Sequence, residues 1–278
     1  MSGFSSSHFI QTSRRRILLR DKPLWMAIIN ATPDSFSDGG REDVVGHAMK
    51  CVRDGADILD IGGESTRPGA EPVSPETEIG RVIPVIQGIF AKCDEHGIHS
   101  PPISVDTRHP ETSRAALAAG AELINDVTGG ENSEMRRLAA DTGAAFCFMH
   151  MRGTPRNMQK SPTYENVVEE IFAYLTRQRD LLLASGVHRE QLIADPGIGF
   201  GKTAEHNLEI LRNITRFREL GVPVMVGHSR KKFLEKIFGV GGDAGTEIVS
   251  RMMAEAGVEV LRLHVKPDSP AENRISHV

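Results

Sequence analysis

Short apolar runs recur along the chain, and most precede a longer amphipathic stretch. The runs are 24–30 (LWMAIIN), 57–61 (DILDI), 102–106 (PISVD), 122–126 (ELIND), 145–149 (AFCFM), 191–195 (QLIAD), 222–227 (VPVMVG) and 258–264 (VEVLRLH). Continuous apolar runs of this length predict strands buried on both faces of a parallel sheet. The stretches between them predict helices over 74–96, 110–119, 164–185 and 205–220, and another opened by Ser133. Ser74 followed by Pro75, Glu76 and Glu78 is a helix-start signal. Gly97, Gly120, Gly143, Gly186, Gly221 and Gly257 stand where those helices should end. Eight strands alternating with helices predict an α/β fold of the (β/α)8 TIM-barrel kind. An open doubly wound sheet would carry a glycine-rich dinucleotide turn after its first strand, and TPDSFSDGG is not that turn. The residues after the last strand, 265–278, lack helical periodicity, so the eighth helix is expected to be short. A bare patch of barrel wall is then expected unless a partner or the N-terminal arm covers it.

Composition narrows the class. The chain has 278 residues, 33 Lys and Arg against 37 Asp and Glu, and a formal net charge of −4, without the basic excess of a nucleic-acid binder. No apolar run is long enough to span a membrane. Three cysteines without metal spacing read as reduced thiols, and the expected location is the cytoplasm. Residues 1–20 hold four arginines and no acidic residue, a composition shared with transit peptides. They are read instead as a tail and a short arm leading into one domain over 21–278, because Ile17, Leu18 and Leu19 run straight towards the first strand.

The C-terminal ends of the strands carry polar residues that buried strands avoid: Asn30, Asp106, Asn125, Asp126, His150, Asp195, Arg262 and His264. In a barrel these ends surround one mouth, where such enzymes keep their active sites. An inner ring of Asp106, Asn125, Asp195 and Lys231 suits a flat, nitrogen-rich heterocycle, since a carboxylate accepts from an N–H/NH2 pair and an amide both donates and accepts. A carboxylate-caged metal is the rival use of two carboxylates, and it lacks a histidine pair or a third acid at ligand spacing. A cationic group, Arg67, Arg230 with Lys231, and Arg262 with His264, suits phosphate or pyrophosphate. A helix is expected to start near Arg230 and offer N–H groups to that anion. Two long polar loops, 32–41 and 62–73, are candidate lids. The segment PGIGFGKT (196–203) imitates a phosphate-binding P-loop, but Pro196 stands where that motif needs glycine. It is expected to bring Phe200 over the mouth instead.

Eight motifs then carry a resemblance: IINATPDSFSDGG (28–40), DILDIGGESTRPGA (57–70), ISVDT (103–107), LINDV (123–127), FMHMRGTPRNMQ (148–159), IADPGIGFGKT followed two residues on by HN (193–207), GHSRKKFL (227–234) and RLH (262–264). Together they resemble the dihydropteroate synthases, pterin-binding enzymes of the folate pathway. The resemblance implies condensation of p-aminobenzoate with 6-hydroxymethyl-7,8-dihydropterin pyrophosphate, yielding 7,8-dihydropteroate and pyrophosphate. It implies a pterin pyrophosphate site of Thr66, Asp106, Asn125, Met149, Asp195, Phe200, Lys231, Arg262 and His264. It implies a p-aminobenzoate pocket of Thr66, Pro68, Phe200 and Ser229, and Mg2+ on Asn30. Asp106, Asp195, Lys231, Arg67, Arg262 and His264 would be the catalytic group. A homodimer is implied, with neither nucleic acid nor membrane as partner. Sulfonamides mimic p-aminobenzoate, so resistance substitutions would fall in 65–69. A pterin-dependent methyltransferase of the same fold should lack the STRPG and SRK segments, and an inactive pterin-binding paralogue would bind without turnover.

Overall fold

Alternation along each strand sorts side chains to the inside or the outside of a barrel. The computed structural model describes residues 8–32, 40–66, 69–154 and 156–267. A hairpin of β1 (Phe9–Gln11) and β2 (Arg16–Leu18) comes first, then β3 (Leu24–Asn30), α1 (Gly40–Arg53), β4 (Ile58–Gly62) and α2 (Pro75–Glu95). The alternation continues with β5 (Ile103–Asp106), α3 (Pro110–Ala118), β6 (Leu123–Asp126), α4 (Ser133–Thr142), β7 (Ala145–Met149) and α5 (Val167–Ala184). It ends with β8 (Leu192–Asp195), α6 (Ala204–Arg212), α7 (Ile214–Phe217), β9 (Met225–Val226), α8 (Phe233–Phe238), α9 (Gly242–Glu255) and β10 (Val260–Leu263). The parallel sheet has 8 strands in the order β8-β7-β6-β5-β4-β3-β10-β9. A parallel bridge between Ala194 and Val224 joins its two ends and closes the barrel.

All eight expected strands are present, and the differences have local causes. The seventh shrinks to two residues because Pro223 has no N–H for the ladder; its carbonyl still accepts from Ala194 N at 2.9 Å. The helix expected over 205–220 breaks at Asn213, whose backbone leaves the helical region (φ −111°, ψ 23°) while its side-chain amide donates to the Glu209 carbonyl at 2.8 Å. Asn132, rather than Ser133, caps α4, its Oδ1 accepting from Glu134 N at 2.8 Å. The six helix-ending glycines all have positive φ, from 63° to 114°. No helix starts at Arg230: α8 begins at Phe233, and α9 follows it before the last strand. The short eighth helix is expected over 265–278; residues 265–267 are not helical, and the rest lie outside the described residues. The described wall beside β10 is not bare: Trp25 of β3 is 3% exposed, its indole N–H donating to the Leu263 carbonyl at 3.3 Å, and Leu261 and Leu263 are buried.

Two cores result. Outward-facing residues such as Ile29, Ile61, Val105, Ile124, Phe146 and Leu261 pack under the helices. Inside, Leu24, Met26, Ile58, Leu123, Ala145, Cys147, Ile193, Met225 and Val260 fill the lower half of the barrel, and Ile10 and Ile17 of the hairpin close it from below. The arm is thus a plug. Buried Glu122 holds it through Thr12 Oγ1 at 2.7 Å and Arg15 at 2.7 Å. Ile10→Ala, at a fully buried site, is expected to cost about 2–4 kcal/mol, read as a lower urea midpoint at unchanged slope. An unchanged midpoint would mean that the hairpin lies outside the cooperative core. The three cysteines are buried and free, and no described helix is long and apolar enough to cross a membrane.

Candidate active site

Above the apolar half, the inward positions turn polar. Asp60 and Gly62 of β4, Ser104 and Asp106 of β5, Asn125 of β6, Met149 of β7, Asp195 of β8 and Arg262 of β10 follow inward-facing Ile58, Leu123, Cys147, Ile193 and Val260 at a period of two. The register sets Gly62 beside Asp106 and Asp106 beside Asn125. A Cβ on Gly62 would lie 3.5 Å from the Asp106 carboxylate, so glycine there keeps the space around that group open.

Arg262 organises this layer. Its Nε donates to Asp60 Oδ2 at 2.6 Å and its Nη2 to Asp106 Oδ2 at 2.6 Å. The Asn125 amide donates to the same Asp60 oxygen at 3.1 Å. Burial disfavours the charged guanidinium, but the negative charges of Asp60 and Asp106 outweigh that and raise the Arg262 pKa. Burial pushes Asp106 up to about 7 against the opposing charge of Arg262. Asp195 is also raised by burial, while Gly197 N donates to its Oδ1 at 2.7 Å. Lys231 sits 4.6 Å above the Phe200 ring and donates to the Ile198 carbonyl. Burial lowers its pKa to about 8, opposed by Asp195.

Other expected residues sit at the rim. Ser229 Oγ lies 2.9 Å from His264 Nδ1 and accepts from His264 N at 3.2 Å. Asn30 ends β3 exposed, and Thr66 is half-buried at the edge of the loop after β4. Arg67, Pro68 and most of the loop after β3 lie outside the described residues. Two polar strand ends and one loop arginine serve other purposes. Asp126 faces outward and caps its own turn, accepting from Thr128 N at 2.8 Å and Gly130 N at 3.0 Å. His150 turns away to Lys202. Arg230 pairs with Asp243 of α9 at 2.7 Å on the surface.

The sequence reading missed Asp60. Its signal was present: a carboxylate in mid-strand, on the same inward face as Gly62. It also missed the brace under the second loop. Glu64 takes a two-pronged ion pair from Arg108 at 3.1 and 3.0 Å, and buried Glu78 accepts from Thr107 Oγ1 at 2.6 Å and lies 3.0 Å from His109 Nδ1. Glu64, Glu78 and His109 are close enough to share an ion, but these partners already engage them.

Known proteins give the same picture. The family model for pterin binding enzymes matches residues 26–264. A dihydropteroate synthase of Escherichia coli strain K12 is 39% identical over 249 residues, covering 87% of this chain and 86% of that protein. A solved Xanthomonas albilineans dihydropteroate synthase with 4-aminobenzoic acid is 39% identical, with a TM-score of 0.83 and coverage of 92% of this chain and 93% of that one. The Xanthomonas albilineans enzyme in complex with 7,8-dihydropteroate is 36% identical, with a TM-score of 0.79 and coverage of 91% and 92%. The chain therefore belongs to the pterin binding enzymes, within their dihydropteroate synthase group.

Proposed function

We propose that this chain joins p-aminobenzoate to 6-hydroxymethyl-7,8-dihydropterin pyrophosphate, releasing pyrophosphate and 7,8-dihydropteroate. The observation that carries the reading is the convergence of Asp106, Asn125 and Asp195 inside a closed barrel, braced by Asp60 and Arg262. Two carboxylates and an amide match the N–H and carbonyl edge of a pterin, and Met149 and Phe200 supply apolar walls. Relatives solved with 4-aminobenzoic acid and with 7,8-dihydropteroate support the same pair of ligands.

Charge stabilisation is the main task of the site. The bond from the pterin methylene carbon to the pyrophosphate oxygen breaks, and its electron pair leaves with pyrophosphate. The dihydropterin ring spreads the positive charge, which Asp106 and Asp195 favour. Thr66 and His264 at the rim receive the anion, as Arg67 would by the family resemblance, and Arg262 lends positive charge from beneath. The amine nitrogen of p-aminobenzoate, held near Thr66, Pro68, Phe200 and Ser229, forms the new C–N bond and gives its proton to water. The two loops keep water away from the cation until then. No enzyme nucleophile is needed.

Asn30 fits a Mg2+ bound chiefly by others: one neutral amide oxygen at an exposed strand end suits a cation that keeps waters and takes phosphate oxygens. When bound it supplies neutralising charge to pyrophosphate. The test is product analysis by mass spectrometry, with both substrates, with and without Mg2+. The expected product is 7,8-dihydropteroate, formed only with the metal. Tight pterin binding without that product would favour an inactive pterin-binding paralogue.

A further inference from the structure

The GFGK segment that imitates a P-loop has a different use. Lys202 is 3% exposed, and its side chain is spent on carbonyls of its own turn. Its Nζ lies 2.8 Å from the Gly197 carbonyl, 2.9 Å from the Phe200 carbonyl, 3.0 Å from His150 Nδ1 and 3.3 Å from the His150 carbonyl. Burial, followed by the charges of Lys202 and Arg152, pushes His150 down to about 2, so its ring is neutral and Nδ1 accepts.

The turn around this amino group, whose pKa burial lowers well below the usual lysine value, is wound tightly. Gly197, Gly199 and Gly201 have φ of 69°, 83° and 65°. A Cβ at Gly197 would stand 1.9 Å from the His150 carbonyl oxygen, and one at Gly201 would stand 2.4 Å from that of Arg152. The other peptide groups of the turn reach the site. Gly197 N holds Asp195, the Ile198 carbonyl accepts from Lys231, and Phe200 carries the ring beneath Lys231. Each contact depends on where the peptides at 197 and 200 point; Lys202 bonds both carbonyls, and that of Gly197 also accepts from Phe200 N at 3.1 Å.

We infer that Lys202 is a positioning residue for this reaction, its amino group serving as the N–H donor hub around which the 197–201 turn is wound so that Asp195, Lys231 and Phe200 meet both substrates. The inference rests on the reading under Proposed function. A side chain without N–H donors leaves three carbonyls and an imidazole facing one another; among the described residues only the Gly197 carbonyl keeps another donor, Phe200 N at 3.1 Å, and the turn relaxes. Misplacement of about 1 Å costs about 10²-fold in rate.

The test uses the full chain with Lys202→Ala and Lys202→Met. Both are expected to keep the wild-type circular dichroism spectrum and lose about 10²-fold in kcat/KM, with the loss in kcat as well as in KM for p-aminobenzoate. Propylammonium is expected to restore Lys202→Ala at least about tenfold by re-entering the hole as a donor, whereas 1-propanol restores nothing and Lys202→Met, with its hole filled, responds to neither. If Lys202→Ala folds only with added amine, recovery of activity together with the fold is the same result. Wild-type kcat/KM in either variant, or equal rescue by the alcohol, would overturn the inference. A wild-type chain that makes no dihydropteroate would instead overturn the functional reading.

Discussion

Asp106→Asn is expected to lower kcat by about 10²–10³-fold, the loss typical when one preorganised electrostatic group is removed from an active site. Asp106 faces into the barrel beside Asn125 and takes one arm of Arg262. Asn keeps the shape but not the charge that favours the pterin cation. The fold should survive, because Arg262 keeps its 2.6 Å bond to Asp60. Burial raises Asp106 from 3.8 to about 7, so the folded protein binds that proton more tightly than the unfolded chain. Its ionisation therefore takes stability away as pH rises from about 4 to 7. The Asn variant is expected to be at least as stable as wild type at pH 7, and to lack the rise in rate that wild type shows near that pH. Single-turnover rates from pH 5 to 9 with parallel urea melts give both readouts. Near wild-type turnover, or a retained rise in rate, would remove Asp106 from the chemistry.

Arg262→Met is expected to be the most damaging single change to stability, costing about 3–5 kcal/mol. Met fills similar space, but Asp60, fully buried, and Asp106 then face each other with no cation between them. Removing one member of a buried ionic group costs more than the group contributes when intact, since the remaining charges stay desolvated. Adding Asp60→Asn to Arg262→Met should recover more than about 1 kcal/mol, because a neutral amide replaces one stranded carboxylate. Urea unfolding of the single and double variants checks this. A single variant as stable as wild type, or no recovery in the double, would show that the three groups do not act as one unit.

How far the sequence could be read follows from this layering. Strand positions came through because each run is apolar on both faces, and helix ends because glycine takes positive φ at little cost. Asp106, Asn125 and Asp195 were legible because they sit at strand ends, where a carboxylate or amide has no packing reason to be. Asp60 was not, because in mid-strand it reads as an interruption until alternation places it inward with Gly62. Lys202 was visible only as part of a failed P-loop, since nothing local says that its side chain turns inward to carbonyls from two segments. The hairpin was legible as an arm but not as a plug. Its Ile10 and Ile17 contact strands far away in sequence, and only closure of the barrel brings those together. The same holds for Glu64 with Arg108, which pair across two loops.

The most direct test of the central claim is pyrophosphate release by the purified wild-type chain, followed continuously with the pterin pyrophosphate and Mg2+, in the presence and absence of p-aminobenzoate. The expected result is release that needs p-aminobenzoate, saturates with it, and matches dihydropteroate formed mole for mole. Release at the same rate without the amine would contradict the account, because the site would then be letting water take the cation. So would no release at all from folded protein that binds the pterin.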